Sequence, residues 1–399
     1  MAGKKILYIS GSLGLGHVVR DLAIAKELRR QNPQLELSWL AAHPASVFLR
    51  EAGEPLLPEA DRYADSNVSA ERAAKGYGLS LTKYGNHVLR AWKRNVDVFK
   101  QVTREGRFDL IIGDETYEIA VALRFKRVSL EPPFVMIYDF LGFDPVSGSP
   151  LEALGVYLWN RLWASSDKLF SSGKNLALFV GEPEDIPDRK FGPFLPHRRQ
   201  WAQTHFQFTG HVLPFRPEDY ADQESIRARL GYARQRLVVC SIGGTRIGKD
   251  LLELCAQAFP LIARQIPDAH MILVCGPRLS PASLRVPEAV EVRGYVPALY
   301  ELFAAGDLAI IQGGGTSTLE LTALRRPFLY FPLEKHFEQQ IHVADRLARH
   351  QAGIKMSYAQ TTPASLAEAV IANMGKEVTY PPIPTNGAQN AAQLISQRL

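Results

Sequence analysis

The sequence predicts an α/β protein made of two Rossmann-like, doubly wound domains. Three observations carry that expectation. The chain has 399 residues, room for two or three domains of ordinary size. Both halves open on the same local grammar of apolar run, glycine-rich turn and helix-periodic segment. Between them Gly181–Pro217 carries six prolines, at 183, 187, 193, 196, 214 and 217, which is the composition of a connector.

The elements follow in order. Lys4–Ser10 is a strand, and Val18–Arg30 a helix with Leu22, Ala25 and Leu28 on one face and a basic end. Leu35–Ala42 is a second strand. Leu110–Gly113 and Phe134–Tyr138 are further strands, each running into an acidic residue, Asp114 and Asp139. Phe206–Thr209 suits the last strand of this half. The boundary falls near 213–220, dividing the chain into 1–215 and 216–384, with 385–399 a terminal helix. The second half restarts with strand Leu237–Ser241, Gly243-Gly244-Thr245 and a helix from about Lys249. Met271–Cys275 and Val290–Tyr295 are strands, and Ala298–Ala305 a helix. Leu308–Ile311 is a strand entering Gly313-Gly314-Gly315, with a helix from about Ser317. Phe328–Pro332 is a strand, His336–His350 a helix, and Ala388–Arg398 a last amphipathic helix. Strands alternating with helices imply mostly parallel sheets.

Composition excludes several classes. Hydrophobic residues make up 46% and charged residues 22%, ordinary globular usage. Cys240, Cys255 and Cys275 lack metal-ligand spacing and read as buried thiols of a reducing compartment. No convincing metal cluster is present. No apolar stretch reaches the roughly 20 residues that span a bilayer, and the N-terminus carries no signal-peptide pattern. These features point to the cytoplasm. The net charge of +5 suits an anionic partner without identifying one. No RNA-binding aromatic motif appears, so no nucleic-acid partner is expected.

Glycine turns between strand and helix gather backbone N–H groups at a positive helix end, which suits phosphate. Gly11–His17 has the spacing G-x-x-G-x-G rather than G-x-G-x-x-G, and the second strand lacks an acidic end, which argues against NAD. His17-Val18 stands where a P-loop needs Lys and Ser/Thr. His17 lies at the helix mouth. A positive helix end there lowers its pKa and favours a neutral base. It reads either as a general base or acceptor-binding group, or as a helix-start histidine bonding a loop carbonyl. Asp114 and Asp139 share that rim, and either suits orienting His17 or catching a substrate hydroxyl; a solvated loop carboxylate is the plainer alternative for each.

The most informative stretch is Ile310–Gln340. Gly313–Gly315 leave bare backbone at a helix mouth, and Thr316, Ser317 and Thr318 add hydroxyls where a phosphate would sit. Taken alone the three hydroxyls are an ordinary N-cap cluster. Glu320 falls in the first helical turn, where a carboxylate is tolerated and can accept two bonds from a vicinal diol. Glu338, Gln339 and Gln340 start another helix on the same rim, an acid and amides suited to sugar hydroxyls.

QGGGTSTLE…P…HFEQQ resembles the nucleotide-sugar signature of GT-B glycosyltransferases, particularly family 28, which includes MurG and the monogalactosyldiacylglycerol synthases. GSLGLGH…LAIAKEL and SIGGT resemble the loops that open the family's two domains. The resemblance implies a GT-B fold, two Rossmann-like domains facing across a cleft, with acceptor bound by 1–215, nucleotide-sugar by 216–384, and 385–399 folding back on the first domain. It implies that Glu320 binds the ribose of UDP. Gly314, Gly315, Thr316 and Ser317 would lie along the diphosphate, helped by Gly244 and Thr245. Tyr295 and Val296 would read uracil, and Glu338, Gln339 and Gln340 would meet the donor sugar. His17 matches the family's N-domain histidine. The implied reaction is metal-independent, inverting transfer of a sugar from UDP-sugar, a co-substrate rather than a cofactor, to an acceptor hydroxyl. The sequence departs from the family in two places. Plant-type relatives carry histidine at the position of Gln312, and the first loop lacks GGTGG.

Two other functions fit the same motifs: a UDP-sugar 2-epimerase, or a nucleotide-sugar-binding accessory subunit without catalysis. The acceptor is less specified. Lys83, Arg90, Lys93, Arg94, Lys100, Arg104 and Arg107 make a basic helix face opposite Leu89, Trp92, Val96 and Phe99. That helix is either core-packed with a solvated basic face, or docks peripherally on an anionic membrane surface such as the inner face. Tyr157, Trp159 and Trp163 fill core or line an acceptor cleft.

Overall fold

A computed structural model describes residues 3–11, 15–65, 74–75, 78–79, 81–146, 148–244 and 246–399. At 74–75, 78–79 and 81–89 it describes the backbone alone. Ser12, Leu13 and Gly14 of the first glycine loop and the candidate Thr245 lie outside the described residues, as do the side chains of Lys83 and Leu89. The chain divides into two units. One contains residues up to 73, 81–214 and 384–399; the other contains 215–383 and the short antiparallel pair Ala74–Lys75 with Gly78–Leu79.

The first unit is a parallel sheet. Its strands are β1 (Lys5–Ile9), β2 (Glu36–Leu40), β3 (Leu110–Asp114), β4 (Phe134–Tyr138), β5 (Leu176–Phe179) and β6 (Gln207–Phe208). Their order is β2-β1-β3-β4-β5-β6, with every pairing parallel. Trp39 of β2 makes a further parallel bridge to Leu56. The strand order reverses between β1 and β3, so a crevice opens at their carboxyl ends, where such sheets place ligands.

Four helices of this unit matter to the site: α1 (Gly16–Gln31), α2 (Leu81–Glu105), α3 (Tyr117–Arg124) and α4 (Pro150–Ala164). α1 buries Val18, Ile24, Ala25 and Leu28 on the sheet, the 3.6-residue stripe that drives its packing. Asp21 on the same face accepts hydrogen bonds from Tyr8 at 2.9 Å and Ser10 at 2.5 Å, fixing α1 against β1.

The strand Leu176–Phe179 and the helices Tyr117–Arg124 and Pro150–Ala164 were not anticipated in this half. All four residues of β5 are buried, so it shows no in–out alternation, and it lies just before the proline-rich connector. Among the described side chains of α2, Asn95, Val98, Phe99 and Val102 are the buried positions, a face rotated from the expected Trp92–Val96–Phe99 line. Trp163 fills core against Tyr138, Phe140 and Tyr117, whereas Trp159 meets Trp92 edge-on at 5.4 Å.

The second unit repeats the design with β7 (Arg236–Ser241), β8 (Ala269–Val274), β9 (Glu291–Arg293), β10 (Leu308–Ile311), β11 (Phe328–Tyr330) and β12 (Ile354–Lys355). Their order is β9-β8-β7-β10-β11-β12, all parallel, with the reversal between β7 and β10. Both faces of this sheet are covered by apolar clusters, which explains the near-continuous Val/Ile/Leu runs. Its helices include α5 (Lys249–Gln265), α6 (Gly315–Ala323) and α7 (Ala344–Arg349). The last helix, α8 (Gly387–Ser396), belongs to the first unit, where Asn32 at the end of α1 donates to Ser396 at 2.8 Å.

Two glycine turns pack backbone on backbone in the second unit. Gly276 follows β8 with a φ of +72°, and a Cβ there would stand 2.2 Å from the carbonyl oxygen of Gly243. Neither feature tolerates a side chain. Gly276→Ala should therefore cost about 2–5 kcal/mol from left-handed strain and overpacking together. Urea denaturation followed by far-ultraviolet circular dichroism measures it; midpoints all equal to wild type would mean that the two turns do not bear on each other.

Candidate functional site

Each unit presents polar groups at the carboxyl ends of its reversal strands. In the second unit, β10 runs into Gln312 and Gly313–Gly315, and α6 begins at Gly315. The helix starts two residues earlier than the sequence suggested, because the third glycine is already helical. Glu320 consequently lies in the second turn, not the first. Gly313 has a φ of +90°, and a Cβ on Gly314 would meet nothing within 4 Å, so the backbone at the helix mouth is bare. Thr316 and Ser317 are half-buried there, and their hydroxyls have no partner among the described residues. Thr318 differs: it is buried, and its hydroxyl donates to the carbonyls of Gly314 and Gly315 at 2.9 and 3.0 Å. That hydroxyl closes the first turn and is not presented at the mouth.

Glu320 is only 6% exposed, and among the described residues no donor reaches its carboxyl. Burial pushes it up to about 8. A carboxyl withdrawn from water without a partner is costly, and a ligand offering hydroxyls would remove that cost. Gln312 is buried and donates to the Ile247 carbonyl at 2.7 Å. Its amide thus pins the turn after β7 to the end of β10, and Gly248 has to be glycine beside it, since a Cβ would lie 2.7 Å from Gln312 Nε2. Gly244 is buried in that turn, and Tyr295 and Val296 are half-buried in the loop just past β9.

Glu338–Val343 forms a π-helical turn leading into α7. A Cβ on Gly315 would lie 3.8 Å from Glu338 Oε1 and 4.0 Å from Arg346 Nη2, so both flank the glycine turn. Arg346 donates to the Gly315 carbonyl at 2.8 Å and to Thr318 Oγ1 at 3.1 Å. The two glutamines are used differently. Gln339 Oε1 accepts from the Leu333 N–H at 2.8 Å, and Gln340 Nε2 donates to the carbonyls of Pro332 and Leu333 at 3.2 and 3.0 Å. Both amides hold the loop before the turn, and Glu338 is the member of the trio beside the glycines.

In the first unit, α1 and the ends of β3 and β4 bring His17, Arg20, Asp114, Glu115 and Asp139 together. Arg20 is buried and spans the group. Its Nη2 donates to Asp114 Oδ1 at 2.6 Å, its Nε to Asp114 Oδ2 at 3.2 Å, and its Nη1 to Asp139 Oδ2 at 2.8 Å. His17 Nδ1 lies 3.1 Å from Asp114 Oδ2 and 2.7 Å from Arg20 Nη2. His17 Nε2 faces Glu115 Oε2 at 3.5 Å. Gly11 permits this packing, since a Cβ there would stand 3.1 Å from both the Asp114 carbonyl and the His17 ring.

The charges are interdependent. Burial opposes ionisation of Asp114 and Asp139, but Arg20 overrides it and holds both below the usual carboxylate range. Burial, reinforced by Asp139, pushes Glu115 well above that range. For His17, burial disfavours the cation, yet Asp114 carries the balance upward. The expectation of a lowered histidine pKa at a helix mouth is therefore corrected: the buried carboxylate outweighs the helix end. Asp114 is zero per cent exposed, a buried partner rather than a solvated loop residue. Arg20 and Glu115 escaped the sequence reading. Arg20 stands one turn after His17 on α1, a spacing that carries the signal, whereas Glu115 is exposed as special only by its left-handed φ of +48°.

Comparison with known proteins adds to this geometry. Residues 238–399 match the glycosyltransferase family 28 C-terminal domain. An uncharacterized glycosyltransferase of Methanosarcina acetivorans is 34% identical over 89% of this chain and 84% of its own length. A UDP-N-acetylglucosamine–N-acetylmuramyl-(pentapeptide) pyrophosphoryl-undecaprenol N-acetylglucosamine transferase of Symbiobacterium thermophilum is 24% identical over 92% of this chain and 86% of its own. Among solved structures, the glycotransferase of kitacinnamycin shares the fold, with a TM-score of 0.60, 15% identity and full coverage of both chains.

Removing Arg20 while keeping Asp114 tests the buried network. Arg20→Met should cost about 3–5 kcal/mol at pH 7, because an uncompensated carboxylate stays buried. The pair stabilises above the ordinary carboxylate pKa and is lost as pH falls through the depressed native value. In the variant Asp114 escapes by protonation, so the gap to wild type should narrow between pH 7 and pH 4. Urea titrations at both values read it; an equal gap would show that charge is not what Arg20 supplies.

Proposed function

The chain belongs to the glycosyltransferases of the GT-B fold with a family 28 C-terminal domain, and on that premise we propose that it transfers a hexose from a UDP-sugar to an acceptor hydroxyl with inversion. The observation that carries the donor half is Glu320: a buried carboxyl without a partner, one turn beyond three bare glycines and two uncommitted hydroxyls. The ribose diol would donate to Glu320, and the diphosphate would lie along Gly314, Gly315, Thr316 and Ser317, with Tyr295 and Val296 at the base. The named relative from Symbiobacterium, whose donor is UDP-N-acetylglucosamine, supports uridine over other bases. Charge developing on the leaving diphosphate would be met by backbone N–H groups and the helix end, preorganised donors of the kind that replace a metal ion. Glu338, beside Gly315, would meet the donor sugar.

On the first unit, the His17–Asp114 cluster would hold and activate the acceptor hydroxyl. The surface of that unit favours a lipid-borne acceptor. Leu151, Leu154 and Leu158 on α4 are 78%, 55% and 55% exposed, and their spacing of three and four residues aligns them in one stripe. The Trp159–Trp92 contact sets α4 beside α2, where Arg62, Arg90, Lys93 and Arg94 line a groove. An apolar stripe next to a basic groove suits the anionic inner face of a membrane. No described helix is long and apolar enough to cross one.

Glu320→Ala should weaken UDP affinity about ten- to a hundredfold, the scale of one hydrogen bond to a charged group. With wild type at pH 7, binding to the diol favours the ionised carboxyl, so calorimetry in buffers of different ionisation enthalpy should show proton release. Unchanged affinity in the variant would reject the ribose role. Changing Leu151, Leu154 and Leu158 together to serine should abolish flotation with phosphatidylglycerol vesicles; flotation at the wild-type level would remove the membrane from the reading.

A further inference from the structure

A guanidinium stands where a helix ordinarily disfavours one. Arg346, on α7, is half-buried. Its Nη2 donates to the Gly315 carbonyl at 2.8 Å and to Thr318 Oγ1 at 3.1 Å. Both acceptors belong to the first turn of α6, which contains no acidic residue. The start of a helix is its positive end, so a cation is disfavoured there and an anion is welcome. The two acceptors are neutral, so they hold the group without cancelling its charge. Elsewhere around the crevice the work of holding backbone falls to the neutral amides of Gln312, Gln339 and Gln340. Positive charge at this turn is therefore more than pinning the backbone requires.

Its neighbour indicates which part of a ligand that charge meets. A Cβ on Gly315 would lie 4.0 Å from Arg346 Nη2 and 3.8 Å from Glu338 Oε1, so a guanidinium and a carboxylate flank one glycine. The helical run from Glu338 to Arg349 delivers both. On the transferase reading Glu338 meets the donor sugar, and Glu320, buried further along α6, meets the ribose. In a sugar nucleotide the β-phosphate is the one joined to the sugar. A phosphate set beside the Glu338 carboxylate is repelled by it. A cation at the same glycine offsets that repulsion, and a planar guanidinium matches the spacing of phosphate oxygens.

We propose that Arg346 binds the β-phosphate of the donor and makes the crevice a reader of nucleoside diphosphates rather than of nucleosides or their monophosphates. The inference rests on the transferase reading above and adds a charged side chain to the donor site. Bare N–H groups of the glycine turn receive phosphate oxygens along its length. Arg346 adds a full charge at the end next to the sugar. Because its anchor is the Gly315 carbonyl, the cation is fixed to the backbone along which the diphosphate lies. Helix start, glycines and guanidinium then form one preorganised surface for the anion.

Calorimetry of the full chain with uridine, UMP and UDP tests the proposal. The wild type should bind UDP more tightly than UMP. Arg346→Gln, whose amide still offers an N–H to the turn, should weaken UDP about ten- to a hundredfold, the scale of one charge-assisted hydrogen bond. UMP and uridine should stay within about threefold, less than such a bond is worth. Equal wild-type affinity for UDP and UMP, or a gap that survives in the variant, overturns the proposal. So does an equal loss for all three ligands, which marks Arg346 as a structural pin of the turn. Arg346→Lys keeps the charge and is milder on the fold, and phosphorus-31 NMR of bound UDP gives a second reading with it. The β resonance should move between wild type and this variant by more than the α resonance; a shift confined to α, or none, overturns the assignment. A wild type that binds none of the three ligands removes the donor reading itself and this inference with it, an outcome distinct from any change seen in the variants.

Discussion

One buried guanidinium organises the rim of the first unit. Arg20 is the common partner of Asp114, Asp139 and His17, which come from β3, the end of β4 and α1. Two carboxylates withdrawn from water need a cation, and the three donors of a planar fork meet them at fixed angles. Once Arg20 is set, the protonation of the whole cluster follows. Asp114 and Asp139 stay ionised, Glu115 is pushed to the neutral form, and the Nδ1 edge of His17 is occupied. The chemistry open to the site is thus dictated by a residue that need not touch a substrate.

The second unit reaches a polar crevice by the opposite route. Its glycine turns carry almost no side chain, and the groups around them are committed to backbone. Gln312 holds Ile247, Thr318 closes the first turn of α6, and Gln339 and Gln340 hold the loop at Pro332–Leu333. What remains uncommitted is bare N–H, two hydroxyls and the Glu320 carboxyl. A rigid cradle with few open valences suits a ligand that brings its own charge and hydroxyls, whereas the crowded rim of the first unit suits proton movement.

Much of this was legible in the residues. The strand–glycine–helix grammar located both reversal points, because glycine turns and short apolar runs are local signals. Glu320 and Glu338 were found through spacing, and His17 through its place at a helix mouth. What escaped depended on tertiary context. Leu176–Phe179 has no alternation because both its faces are buried. The shift of Glu320 into the second turn depended on whether Gly315 was helical, which no propensity decides. Thr318 and the two glutamines looked like ligand groups, and only packing shows which amide or hydroxyl the backbone has already claimed. Arg20 and Glu115 matter through partners about a hundred residues away or through a backbone angle, neither of which the sequence spells out.

The π-helical turn at Glu338–Val343 turns residue count into a determinant of which side chain stands beside the glycine turn. A π-turn holds one residue more than an α-turn. That extra residue lets Glu338 sit beside Gly315 while Gln339 and Gln340 point back at the Leu333 loop. Losing one residue would rotate everything upstream by about 100° relative to α7, carrying the acid away from the glycines without changing its identity. A relative could therefore keep the acid and both amides of this segment and still turn a different one toward its glycines, so alignments that compare letters but ignore a single gap would equate residues that face different ways.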